Sequence, residues 1–166
     1  GFTNYPISLN TISDTGILLL MTLMFIGAST GGTGGGIKTT TFIALMAATR
    51  STLRGQKDVI ISNRLISDKV ILKAVGITVG SLLFVLLMAM LLSTTNTFIN
   101  KEKFTFLEML FTCISAFATV GFDIGLTIKL NHFGQFILIV GMFVGRLGIL
   151  LFLSALWEAL YKSRMN

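Results

Sequence analysis

Apolar residues fall in long runs along the chain, and run length decides what each can be. Ala74 to Leu92 carries no charge and Phe133 to Trp157 carries only Arg146. At about 1.5 Å per residue these are helices of roughly 28 and 37 Å, enough for a bilayer core of about 30 Å. Both are predicted to span a membrane, as an outer helix over 70–95 and an inner helix over 133–160. A third run, Thr15 to Ala28, stops at Ser29-Thr30-Gly31-Gly32-Thr33-Gly34-Gly35-Gly36 and resumes from Ile37 to Thr49. Neither half spans alone. Together they make a span broken in mid-membrane, tolerated only where the freed backbone lines a wet cavity or is buried in protein. Phe104 to Phe117, about 14 residues, has the length of a re-entrant or core helix rather than a crossing. The segment after it, Ala118 to Gly125, shows no helical pattern.

The residue balance supports a membrane setting. Of 166 residues 53% are hydrophobic and only 12% charged, where soluble domains carry about 25% charged residues. Such hydrophobicity excludes disorder, a single cysteine excludes a disulfide scaffold, and Cys113 with His132 is too small a set for a zinc site. A net charge of +6 raises nucleic acid as a partner until the charges are located. Arg50, Arg54, Lys57, Arg64, Lys69 and Lys73 against Asp58 and Asp68 leave the connection 50–73 at +4, and Lys162 and Arg164 against Glu158 leave the tail at +1. Asp14, Lys101, Glu102, Lys103, Asp123 and Lys129 cancel. Excess Lys and Arg mark the cytoplasmic side, so residues 50–73 and the C-terminus are expected there, and no nucleic acid is expected.

The expected fold is an all-α membrane protein built of helix, re-entrant pore-loop, helix modules, potassium-channel-like, with one inner helix broken by a Gly-rich intramembrane loop. Residues 1–50 form the end of one module, with the loop at 29–36; 51–69 are a cytoplasmic connection. Residues 70–161 form a whole module with a pore helix at 104–117 and a filter at 118–125, and 162–166 are a tail. Gly1-Phe2 recurs as Gly121-Phe122, each followed by a polar stretch and an inward-running helix. This weak repeat implies a C-terminal portion of a longer repeated protein.

Thr119-Val120-Gly121 follows the re-entrant helix, and that placement gives the tripeptide its meaning. A dehydrated potassium ion must exchange its water shell for oxygen ligands, and the backbone carbonyls of Thr119, Val120 and Gly121 can supply them, glycine allowing the φ values that aim them inward. Val120 would pack behind the filter while Thr119 adds a hydroxyl. The C-terminal dipole of the helix, about half a negative charge, favours a cation there.

Gly31, Gly32, Thr33, Gly34, Gly35 and Gly36 have the spacing of a phosphate-binding loop, but Ile37 stands where lysine must follow and Lys38-Thr39 comes one residue late. Five glycines in six positions abolish helix, at about 1 kcal/mol each relative to alanine. A flexible gate beneath a pore accounts for them better than close helix packing. Arg146, flanked by Gly145 and Gly148, would cost about 2.5 to 3.5 kcal/mol facing lipid in mid-span. It is expected to face the protein interior, where loop carbonyls could satisfy it and its charge would oppose cation flow. Lys38 either does similar work or reaches the loop carbonyls. Glu108 could lie behind the filter or near the outer surface. Phe104, Phe106, Phe111 and Phe117 are lipid-facing or packing residues, Met21 and Met24 core filler, and Cys113 an inert buried thiol.

The run from Met24 to Thr41, with Gly31-Gly32-Thr33-Gly34-Gly35-Gly36-Ile37-Lys38 at its centre, resembles the intramembrane loop of the Trk/Ktr/HKT superfamily of potassium transporters, closest to the Ktr-type membrane subunit of Gram-positive bacteria. Ser115 to Gly121 with Gly125-Leu126-Thr127 resembles the fourth filter of that family, and Gly145-Arg146-Leu147-Gly148 its last inner helix with a pore-facing arginine. The resemblance implies four modules around one pore, of which this chain supplies the third from its filter glycine, Gly1, onward and the whole fourth. It implies potassium uptake through a filter of Gly1, Ala118, Thr119, Val120, Gly121 and Phe122, with the Gly-rich loop as gate. It further implies homodimeric subunits in the cell membrane, a cytosolic nucleotide-binding ring docking on the inner face, potassium as substrate, sodium as a candidate coupling ion, and no cofactor held by this chain. Phe122-Asp123 departs from the family's more usual Leu-Ser, and Thr112 stands where a pore-helix glutamate is expected; an acid at the mouth could concentrate cations. The competing class is a secondary transporter of another solute, using the broken helix as its substrate site. An enzyme is disfavoured, since no nucleophile, base or metal cluster converges.

Overall fold

The computed structural model describes residues 12–56, 58–61, 64–99 and 104–148. Five α-helices carry most of them. Helix α1 (Asp14–Phe25) starts at Ser13, whose Oγ accepts from the Gly16 N–H at 3.3 Å. It buries Ile17, Met21 and Met24, a single face at helical spacing. Its other sides show Leu18, Leu19 and Leu23 to the surroundings, apolar all round as a membrane-exposed helix is. Helix α2 (Thr39–Leu53) ends where Gly55 takes a φ of +66°, the left-handed turn that stops a helix.

The connection departs from the all-α expectation. Val59–Ile61 (β1) and Arg64–Ile66 (β2) form an antiparallel hairpin pairing Val59 with Ile66, Ile60 with Leu65 and Ile61 with Arg64. β-Branched residues on both strands favour pairing, and the buried Ser51 hydroxyl ties the hairpin to α2 by donating to the Asp58 carbonyl at 2.8 Å. Helix α3 (Asp68–Ile99) runs 32 residues, about 48 Å, longer at both ends than the 70–95 expected. Within it, Asp68–Thr94 holds an 18-residue stretch of mean hydropathy 2.6 and is the one helix among the described residues long and apolar enough to cross a membrane.

Helix α4 (Phe106–Phe117) is capped by its own glutamate, Thr105 N–H donating to Glu108 Oε2 at 2.7 Å. This assigns Glu108 a local role. Helix α5 (His132–Leu147) starts at Asn131, whose Oδ1 accepts from the Gly134 N–H at 2.9 Å. The sequence predicts a helix through 160; its described part ends at Leu147, where Gly148 takes a φ of +85°. Residues 149–166 lie outside the described ones, as does Gly1.

Helices α3, α4 and α5 pack on one another, α1 lies against α4, and α2 lies beside α3. The core follows α4: Phe111 and Phe117 are each 1% exposed and Cys113 is fully buried. The Phe117 ring meets Phe25 of α1 at 6.3 Å and Phe84 of α3 at 6.0 Å between centroids. On α5 the buried face sets Ile137, Leu138 and Val144 beside glycines: at Gly141 a side chain would collide with the end of Met88, and at Gly145 with the Phe117 carbonyl.

Candidate functional site

The end of α4 and the break between α1 and α2 come together, and the glycines make the meeting possible. The break runs from Ile26 to Lys38, wider than the 29–36 expected, and it is not loose. Gly27 N–H donates to the Ile37 carbonyl at 2.8 Å and Ile37 N–H to the Phe25 carbonyl at 3.1 Å, a parallel bridge that closes the neck. Ile37, 3% exposed, plugs that neck from within the fold. Ser29 to Gly32 form a turn, with Gly32 N–H on the Ser29 carbonyl at 2.9 Å. Lys38 reaches back across the loop, its Nζ donating to the carbonyls of Gly34 at 2.6 Å and Gly32 at 3.4 Å.

Gly35 sits against the last turn of α4. Its N–H donates to Thr119 Oγ1 at 2.8 Å, and a Cβ there would come within 2.7 Å of the Phe117 carbonyl oxygen. That oxygen belongs to a helix C-terminus, where carbonyls lack partners within the helix and carry partial negative charge. Gly145 of α5 approaches the same oxygen from its own backbone. Three stretches of main chain thus meet with no side chain between them.

Beyond α4 the chain folds back on it. Thr119 N–H donates to the Ala116 carbonyl and Val120 N–H to the Ser115 carbonyl, at 3.1 and 3.0 Å. Thr119 adopts a φ of +54°, the one left-handed non-glycine residue among those described. Such a conformation costs of order 1 kcal/mol or more and persists where neighbours hold it; here the bond from Gly35 does so. Gly121, at φ +83°, lies where glycine carries no such penalty. Ser115 Oγ donates to the Phe122 carbonyl at 2.7 Å, and Asp123 Oδ1 accepts from the N–H groups of Gly125 at 3.1 Å and Thr127 at 3.4 Å. The carboxylate therefore shapes the turn after the glycine.

A cavity of about 390 Å³ opens beside this turn, lined by Thr112, Ser115, Ala116 and Thr119, by Gly121, Phe122, Asp123 and Thr127, and by Leu138 and Met142 of α5. The Thr112 hydroxyl donates to the Glu108 carbonyl at 2.9 Å. A hydroxyl whose proton is engaged presents only lone pairs, so Thr112 and Ser115 are acceptors toward the cavity. Oxygen atoms with one carboxylate are ligands for a hard cation.

The structure thus brings Ala118, Thr119, Gly35 and Lys38 into one site, with Val120, Gly121 and Phe122 on the turn beside it. Gly31 projects away with open space around it. Arg146 stands in the last turn of α5, exposed, and the loop carbonyls expected to satisfy it are held by Lys38 instead. The Lys38 ammonium, four and six residues from its acceptors, reaches them locally, whereas Arg146 follows Gly145, whose backbone is seated on Phe117. Sequence reasoning missed what Ser115 does: its burial, at 2% exposure, and its bond to a carbonyl seven positions on appear only in the folded chain.

Residues 1–157 match the model of the TrkH family, described as a cation transport protein. The chain is 42% identical to Ktr system potassium uptake protein B of Bacillus subtilis over 136 residues, 82% of the chain and 29% of that protein. It is 37% identical to Ktr system potassium uptake protein D of the same organism over 147 residues, 89% of the chain and 31% of the relative. With the potassium/sodium uptake protein NtpJ of Enterococcus hirae it shares 33% over 146 residues, 88% of the chain and 32% of the relative. The chain spans less than a third of the length of these relatives.

Proposed function

The chain belongs to the TrkH family of cation transport proteins, and we propose that it is part of the pore-forming subunit of a potassium uptake system. In this reading α3 is an outer helix, α4 a re-entrant pore helix, and residues 118–122 a stretch of the filter whose carbonyls at Thr119, Val120 and Gly121 replace potassium's water shell. Helix α5 is the inner helix, α1 and α2 are the halves of a broken one, and the loop between them is the gate. The bond from Gly35 N–H to Thr119 Oγ1 carries the proposal: it joins a glycine-rich break to the candidate filter in a single site, where a gate must lie to control flux. The oxygen-lined cavity and the α4 C-terminus supply negative potential for a cation.

On the charge pattern, residues 50–73 and the C-terminus face the cytoplasm of a bacterial cell membrane, which the subunit crosses several times. The names of the Ktr relatives, each a component of a system, support a separate cytosolic regulatory subunit docking on that inner face. A homodimer of membrane subunits and sodium coupling belong to the same reading. In the same reading the Arg146 charge opposes cation flow, Gly1 belongs to a filter segment, and the loop residues Gly31 to Gly36 form the gate.

The test is Gly121→Leu in the full-length protein. A side chain at φ +83° would distort the turn, and potassium-dependent growth of an uptake-deficient host should be lost with the protein still in the membrane. Normal growth would sink the filter assignment. Rubidium uptake inhibited by potassium and indifferent to organic solutes separates this function from a secondary transporter of another solute.

A further inference from the structure

A second cavity, of about 420 Å³, lies at the far end of α2 from the Gly-rich loop, between that helix and β1. Ile43, Met46, Ala47, Arg50 and Arg54 line it from the helix and Ile60 from the strand. The helical residues stand at i, i+3, i+4, i+7 and i+11, so they form one stripe, apolar for its first turn and doubly cationic at its end. Arg50 and Arg54 are exposed, and neither guanidinium has a carboxylate or hydrogen-bond partner among the described residues. Around the mouth the hairpin shows the cross-strand pair Ile60 and Leu65, 62% and 66% exposed, and α2 ends in Leu53, 84% exposed.

We infer that this groove is a site for an anionic phospholipid of the inner leaflet, its phosphate between Arg50 and Arg54 and an acyl chain along Ile43, Met46 and Ala47. An apolar stripe running into two unpaired cations complements a molecule that is anionic at one end and aliphatic at the other. Basic pockets at the cytoplasmic ends of membrane helices bind such headgroups. The exposed Ile60, Leu65 and Leu53 give the hairpin an apolar edge to rest in the interfacial layer. A soluble partner could meet the arginines but could not follow the stripe toward the membrane-embedded end of α2. The inference rests on the reading that 50–73 faces the cytoplasm, and it assigns a ligand that potassium uptake does not require.

The experiment measures lipid retained by the detergent-solubilised full-length protein by native mass spectrometry, after incubation with phosphatidylglycerol or phosphatidylcholine. Phosphatidylglycerol should be retained selectively and should not be displaced by excess inorganic phosphate. Arg50→Gln with Arg54→Gln should weaken retention on the order of 25-fold. Ala47→Leu, which fills the groove and keeps its charge, should weaken it too. Lys69→Gln with Lys73→Gln removes equal charge outside the groove and should have little effect. Equal losses in the two double variants would mean diffuse attraction and overturn the site. Unchanged lipid retention in the arginine variant, with lost binding of a cytosolic regulatory subunit, would overturn it in favour of a protein contact. Rubidium uptake, measured separately, can fail without touching this result, so the two readings fall independently.

Discussion

Replacing Gly35 by alanine asks whether the loop is a gate seated on the end of α4. The new Cβ would lie 2.7 Å from the Phe117 oxygen, 3.1 Å from Thr119 Cγ2 and 3.2 Å from the Ala118 carbonyl carbon, where apolar atoms settle at about 3.5 to 4.0 Å. Two of the three neighbours are backbone and cannot rotate aside. Overpacking of this kind costs about 1 to 3 kcal/mol, borne only while the loop is seated. Alanine also stiffens the unseated loop, which favours seating by about 0.4 to 1 kcal/mol. With both terms at mid-range the net bias toward the unseated state is about 1.3 kcal/mol, roughly an 8-fold rise in its population at tenfold per 1.4 kcal/mol, and at most about 2.6 kcal/mol. The measurement is rubidium tracer uptake into proteoliposomes holding the full-length protein without any activating partner. Gly31→Ala is the matched control: nothing lies within 4 Å of its Cβ, so only the stiffening remains and uptake should stay level or fall slightly. Basal uptake in the Gly35 variant at or below wild type, with equal protein in the vesicles, would defeat the gate. So would an equal rise in both variants.

Three further outcomes follow from the same contacts. Lys38→Met removes the donor to the Gly34 and Gly32 carbonyls, and at about 1.5 to 3 kcal/mol for a charged donor basal rubidium uptake should rise at least as much as in the Gly35 variant; no rise means the ammonium does not hold the loop. Gly145→Ala drives a Cβ into the Phe117 carbonyl, whereas Gly141→Ala meets only the flexible end of Met88, so thermal unfolding in detergent should show a clear loss for the first and a small one for the second; the reverse order would contradict the packing of α5. Ser115→Ala frees the Phe122 carbonyl at a cost of about 1 kcal/mol, and potassium-over-sodium selectivity in uptake competition should drop several-fold while expression is kept; unchanged selectivity would separate the Phe122 carbonyl from ion choice.

What was legible in the sequence was local. Five glycines cannot continue a helix, so the break between α1 and α2 is readable, and so is the change of pattern at Ala118. The contact that unites them is not, because Gly35 and Thr119 are 84 residues apart and no periodicity reports on a donor that distant. Lys38 and Arg146 show the same division: both are cations in apolar segments, and only the folded geometry puts one on the loop carbonyls and leaves the other exposed. The hairpin escaped because each strand is three residues long, too short for alternation to show inside a cationic connection. Asp123 invited an electrostatic role at the mouth, and the bonds it accepts from Gly125 and Thr127 add a local one in turn chemistry.

The Phe117 carbonyl, touched by Gly35 from one side and Gly145 from the other, works as a bearing without a cushion. Side chains at a joint absorb small displacements by changing rotamer; here there are none to change. A displacement of α5 at Gly145 or of the loop at Gly35 is therefore met there by main chain and not by a change of rotamer. Selection can adjust such a joint only at its periphery, since any substitution at its centre is an obstruction.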